Sequence, residues 1–182
     1  MNDLTNNTIL VAGGAGYLGS SLCKAILSNN GNLSIADIDD KKVNILIDSL
    51  NTEYPDAKIL SVKLDIKDES SIIECVNRTY EHFGSIDGLV NATFGATNKN
   101  LENLSADDFN AANEINLTGS FLLSRATSSK MKAGGSIVMF ASMYGIVSPN
   151  PSLYPDGINP NPIEYGAGKA GLIQLTKYLA AY

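Results

Sequence analysis

Histidine is nearly absent from this chain. His82 is the one example, and no cysteine–histidine cluster occurs in the 182 residues. That excludes the ligand set of a structural or catalytic zinc site, and no metal is expected. His82 falls at the end of a helical pattern, where a cationic side chain favours the helix dipole, so it reads as structural. Cysteine is almost as scarce. Cys23 and Cys75 each sit within an apolar helical pattern, as buried thiols of a reducing, cytoplasmic compartment do. Positive charge is also in deficit: 13 basic against 19 acidic residues leave a net charge of −6. With no clustered basic stripe, a nucleic-acid partner is excluded. No apolar run approaches the length of a membrane span. The polar start, residues 1–7, lacks the basic-then-apolar order of a secretory signal.

What remains is enough to build a core. Hydrophobic residues make up 44% and charged residues 18%, and the length suits one domain, residues 1–182. Short apolar runs alternate with helical patterns. Strands are expected near residues 8–13, 32–38, 57–65, 86–92 and 135–142. Helices are expected near 17–29, 41–54 and 68–83, as one helix or several from the Ser105 cap to about 131, and from Glu164 onward. "SADD" resembles a capping box with Ser105 at the cap and Asp108 three residues on. Strands alternating with helices predict a doubly wound parallel α/β sheet, whose ligands bind at the carboxyl ends of the strands.

The first such end carries "VAGGAGYLGS". Gly14, Gly16 and Gly19 fit one glycine-rich register, and Gly13, Gly16 and Gly19 fit another. In either, the backbone turns tightly and approaches a pyrophosphate, which then meets the N–H groups of Tyr17 and Leu18 at the helix start. The second strand ends at Asp37. A carboxylate there accepts from both ribose hydroxyls of NAD and repels the 2′-phosphate of NADP, and no Arg or Lys in the loop offsets it. The charge argument favours NAD over NADP.

The last helical stretch, "PIEYGAGKAGLIQLTKY", is unusual. Gly166, Gly168 and Gly171 each cost about 1 kcal/mol against Ala in a helix. Around them Tyr165 and Lys169 stand four apart and share a face. An ammonium beside a phenol favours the phenolate, which is what a tyrosine needs to act as acid and base near neutral pH. Such a pair alone also fits an ordinary amphipathic helix.

Taken together, the glycine loop, Asp37, Ser142 at the end of the fifth strand and the Tyr165–Lys169 pair resemble the short-chain dehydrogenase/reductase family. The resemblance runs from Thr8 to Tyr182 and implies a Rossmann-like, three-layer αβα domain that binds NAD(P). It makes Tyr165 the general acid/base, with Lys169 binding the nicotinamide ribose and tuning Tyr165. Ser142 would hold the substrate oxygen, and Asn116 in "NEINLTGSF" a relay water. "VNAT" places Asn91 and Ala92 by the adenine ribose, and "LDI" places Asp65 and Ile66 by the adenine. The small residues of the last helix would permit close approach to the cofactor and to a partner subunit in a homodimer or homotetramer.

Three departures accompany the resemblance. "GGAGYLG" looks like the extended branch of the family, which acts on nucleotide sugars, while "VNA" and Asn116 look like the compact branch. The loop "SPNPSLYPDGINPNP", with five prolines, is longer than usual and suggests a shaped wall over the catalytic mouth. "SMYG" followed by this loop is similar to short-chain dehydrogenases of bacterial flagellin-modification and surface-sugar clusters, which implies a sugar or nucleotide-sugar substrate. The sequence also stops at "LTKYLAAY", inside an apolar-periodic helix, where the family continues with further strands. A C-terminally incomplete chain is therefore expected, with its fifth strand left as a sheet edge. The functions in view are an NAD-dependent oxidoreductase of a secondary alcohol or ketone, a nucleotide-sugar epimerase or dehydratase with bound NAD, and a non-catalytic NAD-binding fragment.

Overall fold

The computed structural model describes residues 3–182. They form two compact units. One comprises the chain up to Thr93 with Leu122–Val138, and the other comprises Phe94–Phe121 with Met139–Tyr182.

The first unit holds the sheet. Its strands β1 (Thr8–Ala12), β2 (Asn32–Asp37), β3 (Ile59–Lys63), β4 (Ile86–Asn91) and β5 (Met131–Met139) lie in the order β3-β2-β1-β4-β5. β1 pairs in parallel with β2 from Thr8 opposite Asn32, and with β4 from Ile9 opposite Gly88. The strand order reverses beside β1, so the carboxyl ends of β1 and β4 flank the switch point, where ligands of such sheets bind. Three helices connect the strands: α1 (Tyr17–Leu27), α2 (Asp40–Glu53) and α3 (Glu69–Phe83). Strand residues alternate faces. Leu33 and Ile35 join Val11 in a core with Cys23, Ile26 and Leu27 of α1 and Val43 and Leu50 of α2. Ser34, between them, points the other way and bonds the hydroxyl of Thr79 on α3 at 2.8 Å. Helices thus cover both faces of a Rossmann-like α/β sheet. Gly84 ends α3 in the left-handed conformation, with φ of 79°, as a C-terminal glycine should.

The second unit packs helix α6 (Ile163–Ala181) against α4 (Ala106–Asn113) and the turn that follows. The capping box at Ser105 and Asp108 is present in both directions.

Two stretches gain detail. The helix or helices expected from the Ser105 cap to about 131 are three pieces: α4, a π turn at Glu114–Gly119, and α5 (Ser120–Ser128). The π turn places Asn116 inward, where its amide bonds the backbone of Gly95 twice. That tertiary pairing, which no local pattern announces, displaces the α register. Strand β5 begins four residues early, at Met131, despite Gly134 with φ of 93°. It ends at Met139, just before Phe140, whose carbonyl accepts from the Lys169 ammonium. As anticipated, β5 is a sheet edge.

Candidate active site

In the first unit, the loop after β1 is built on close backbone contacts. Gly13 has φ of 71°, and a Cβ there would stand 2.8 Å from the backbone of Ala92 at the end of β4. A Cβ on Gly19 would lie 2.1 Å from the Gly13 carbonyl oxygen. Gly13 and Gly19 therefore carry the turn, with Gly16 donating to the Gly13 carbonyl at 3.1 Å. Gly14 faces the core, where a Cβ would stand 2.8 Å from the Ile35 side chain and 3.0 Å from the Val11 carbonyl oxygen. The N-terminus of α1 differs from its neighbours. Asp39, Asp68 and Ser105 cap α2, α3 and α4 with their side chains, and each of those helices has an acid in its first turn. Helix α1 has neither a side-chain cap nor a first-turn acid. Its open N–H groups and positive dipole end fit an anion such as a pyrophosphate. The side chains of Tyr17 and Leu18 point outward, Tyr17 being 91% exposed, and only their backbone faces this end.

The Asp37 carboxylate is fixed at the tip of β2. One oxygen accepts from the Ala15 N–H of the glycine loop at 3.0 Å, the other from the Asp39 N–H at 3.1 Å. Asp37 is thus joined to the loop, as are Ala92 and the glycines. The remaining positions of the first unit are engaged locally. Asp65 accepts from the Lys67 N–H at 3.0 Å, Ile66 is buried, and Asn91 is buried with its oxygen on the N–H and hydroxyl of Thr93.

The second unit gathers Asn116, Tyr165 and Lys169. Lys169 is buried, its ammonium donating to the Phe140 carbonyl and lying 5.7 Å from the ring centre of Tyr165 and 5.9 Å from that of Phe94. Burial pulls the Lys169 ammonium below its ordinary pKa. Phe94 meets Tyr165 edge-on, with ring centres 5.6 Å apart. Ser142 stands half-buried at the start of the 3₁₀ turn Met143–Gly145, its hydroxyl accepting from the Tyr144 N–H at 3.1 Å. That turn lies on α6 where a Gly145 Cβ would be 2.8 Å from the backbone of Ala170. The helix glycines find their reason here as well. A Cβ would stand 2.8 Å from the Asn113 amide at Gly168, 2.9 Å from Leu117 at Gly171, and 3.0 Å from the Tyr144 carbonyl at Gly166. The close approach they permit is to this chain's own turn and helix.

Three residues escaped the sequence reading. Phe94 and Tyr154 carry no spacing signal. The Tyr154 hydroxyl bonds that of Tyr144 at 2.8 Å and holds the Tyr144 phenol above its ordinary pKa. Glu164 shows only as an acid at a helix start, yet it is fully buried.

A family model described as short chain dehydrogenase matches residues 7–182. The chain belongs to the short-chain dehydrogenase family. This family of oxidoreductases binds NAD(P), and its members act on small molecules. The chain is 31% identical to the post-translational flagellin modification protein A of Campylobacter coli, over 97% of this chain and 71% of that one. It is 34% identical to the 7alpha-hydroxysteroid dehydrogenase of Bacteroides fragilis, over 99% and 67%. Among solved structures, levodione reductase superposes with a TM-score of 0.87 at 28% identity, covering 98% of this short-chain dehydrogenase and 66% of the other chain. The chain thus spans about two thirds of the length of these relatives. No helix among the described residues is long and apolar enough to cross a membrane.

Proposed function

We propose that the chain carries the cofactor-binding and proton-transfer residues of an NAD-dependent oxidoreductase acting on a secondary alcohol or its ketone. The observation that carries this reading is the buried Lys169 ammonium beside the Tyr165 ring. A cation held dry at that distance stabilises negative charge on the phenol as its proton leaves.

NAD, when bound, supplies the hydride acceptor at its nicotinamide ring. The chain's own residues do the rest. The N–H groups at Tyr17, Leu18 and Gly19 bind the pyrophosphate, with Gly13 and Gly16 shaping the loop. Asp37, already aligned by Ala15, accepts from the adenosine ribose hydroxyls and rejects a 2′-phosphate. Asp65 and Ile66 border the adenine, and Asn91 and Ala92 the ribose. Tyr165 takes the substrate hydroxyl proton and returns it in the reverse direction. Ser142 holds the substrate oxygen, and Lys169 holds the nicotinamide ribose. Both polar atoms of the Asn116 side-chain amide bond Gly95, and its backbone carbonyl accepts from the Ser120 hydroxyl at 2.8 Å; the resemblance assigns this residue the relay water.

The substrate class is a cyclic secondary alcohol, sugar-like by analogy with the flagellin modification relative. The names of the hydroxysteroid and trans-4-hydroxycyclohexanecarboxylate dehydrogenases support a ring-borne hydroxyl. Matching 7–182 in one stretch supports a single NAD(P)-binding domain. Buried thiols at Cys23 and Cys75, both pushed up to about 12 by desolvation, suit a reducing cytoplasm, and a homodimer or homotetramer is the assembly we assign.

Titration with NADH and NADPH, followed by fluorescence, tests the reading. NADH should bind the tighter, and Asp37→Ala should abolish the preference. Equal binding of both, or of neither, overturns it. The glycine loop "GGAGYLG" gives some support to an epimerase with retained NAD. That enzyme would convert a nucleotide sugar with no net change in NADH absorbance.

A further inference from the structure

Glu164 immediately precedes Tyr165 in the first turn of α6 and is 0% exposed. One carboxylate oxygen accepts from Thr97, from its N–H at 3.2 Å and its hydroxyl at 2.6 Å. The other is buried with no hydrogen-bond partner. A buried carboxylate is costly to keep, and an orphan oxygen makes it more so. A Met would fill the space without that penalty, so the acid has a task.

The task is legible in what Thr97 belongs to. Residues 94–97 run from Phe94, whose ring lies edge-on to Tyr165, through Gly95, held on both sides by the Asn116 amide, to Thr97. The Thr97 hydroxyl also accepts from the Lys99 N–H at 3.2 Å, which extends the clamp along the chain. The segment has two anchors, Asn116 in the middle and Glu164 at the end. Phe94, the residue that flanks both Tyr165 and Lys169, hangs from them. Because Glu164 adjoins Tyr165 in the helix, one peptide unit ties the segment to the phenol it borders.

We infer that Glu164 is a positioning residue for Tyr165: its buried carboxylate clamps residues 94–97 to the start of α6 and so fixes Phe94 against the phenol. This rests on the reading of Tyr165 as the acid/base. The carboxylate acts as an acceptor only, so glutamine, which keeps one acceptor oxygen, should substitute in part, and alanine should not.

The test uses the full chain labelled with 3-fluorotyrosine. The Tyr165 resonance is assigned by its loss in Tyr165→Phe. In Glu164→Ala and in Thr97→Val the Tyr165 signal should move toward the position it takes in urea, while in Glu164→Gln it stays near its native position. The Glu164→Ala/Thr97→Val pair should shift it no further than either change alone, as one shared contact requires. Where turnover is measurable, Glu164→Ala should lower kcat by about tenfold to a hundredfold with KM changed little, and Glu164→Gln should restore most of it. A native Tyr165 signal in a folded Glu164→Ala or Thr97→Val overturns the inference. So does equal damage in the glutamine and alanine variants. If Glu164→Ala does not fold, Thr97→Val, which keeps size and shape, decides alone. A chain that binds no NADH but shows the expected fluorine shifts would sink the oxidoreductase reading and leave the clamp standing.

Discussion

Glycine does different work in the two units. In the loop after β1, Gly13 and Gly19 meet backbone: a Cβ would stand 2.8 Å from Ala92 and 2.1 Å from the Gly13 oxygen. Backbone cannot step aside, and Gly13 adds a left-handed φ of 71°. In α6 the glycines have ordinary helical dihedrals, and two of the three meet side chains, Asn113 and Leu117. A side chain can rotate. The loop glycines are therefore requirements of the chain path, and the helix glycines are adjustments of packing. The same residue type thus marks a tight backbone turn in one unit and a fitted joint in the other.

The comparison extends to charge. In the first unit the acidic Asp37 is half-buried, held by two N–H groups with lone pairs to spare. In the second, Lys169 and Glu164 are buried. The half-buried charge keeps contact with water, whereas the buried ones are taken out of it, where each interaction counts for more.

Five experiments would sharpen or break this division. The largest effect is expected at Tyr165. Tyr165→Phe should lower turnover of an alcohol substrate by about 10²–10⁴-fold while NADH titration stays at its wild-type midpoint. Unchanged turnover would remove the acid/base role from the second unit. Next comes Gly19→Ala, which forces a Cβ into the Gly13 carbonyl. It should cost about 3 kcal/mol in urea unfolding and abolish NADH binding. Asp37→Asn follows. Loss of its charge should weaken NADH binding by about tenfold and narrow the gap to NADPH, read by the same fluorescence titration.

Gly168→Ala is the counterpart of Gly19→Ala. The helix propensity gained, about 1 kcal/mol, offsets the shift imposed on Asn113, so the change in unfolding free energy should stay within about 1 kcal/mol. A loss as large as that of Gly19→Ala would erase the distinction between the two kinds of glycine. The smallest effect concerns pH. Burial lowers the Lys169 pKa from the ordinary 10.5, so the folded chain releases this proton before the unfolded one does. Stability from this group is present above the ordinary lysine value and is lost as pH falls through the lowered value. Urea midpoints at rising alkaline pH should show this climb in the wild type and less of it in Lys169→Met.

Much of this was legible because local physics had one solution. Gly84 after an amphipathic run could only be a helix end. Ser105 with Asp108 could only cap, and glycines between an apolar strand and a helix could only turn. The Tyr165–Lys169 pair was legible from its spacing, though not the burial of Lys169. What escaped was set by tertiary pairing. Nothing in "EINLTG" spells a π turn, because the cause is Gly95, twenty-one residues away. The fifth strand is expected to start at Gly135, yet the edge strand begins at Met131 and runs through Gly134, with a Cβ on Gly135 3.2 Å from the Asp87 carbonyl oxygen. The burial of Glu164 left no trace at the start of its helix because its partner, Thr97, lies sixty-seven positions upstream.

The π turn at Glu114–Gly119 also has an arithmetic consequence. A helix advances about 100° per residue, so a turn that carries one residue too many stores a rotation as surplus length. Deleting one residue before Asn116 would let the helix close into regular α geometry. It would then swing either Asn116 away from Gly95 or Ala112 out of the core. Substitutions in this stretch can be absorbed one at a time, but its residue count cannot change, and a gap opened there by evolution or design would be felt at the phenol.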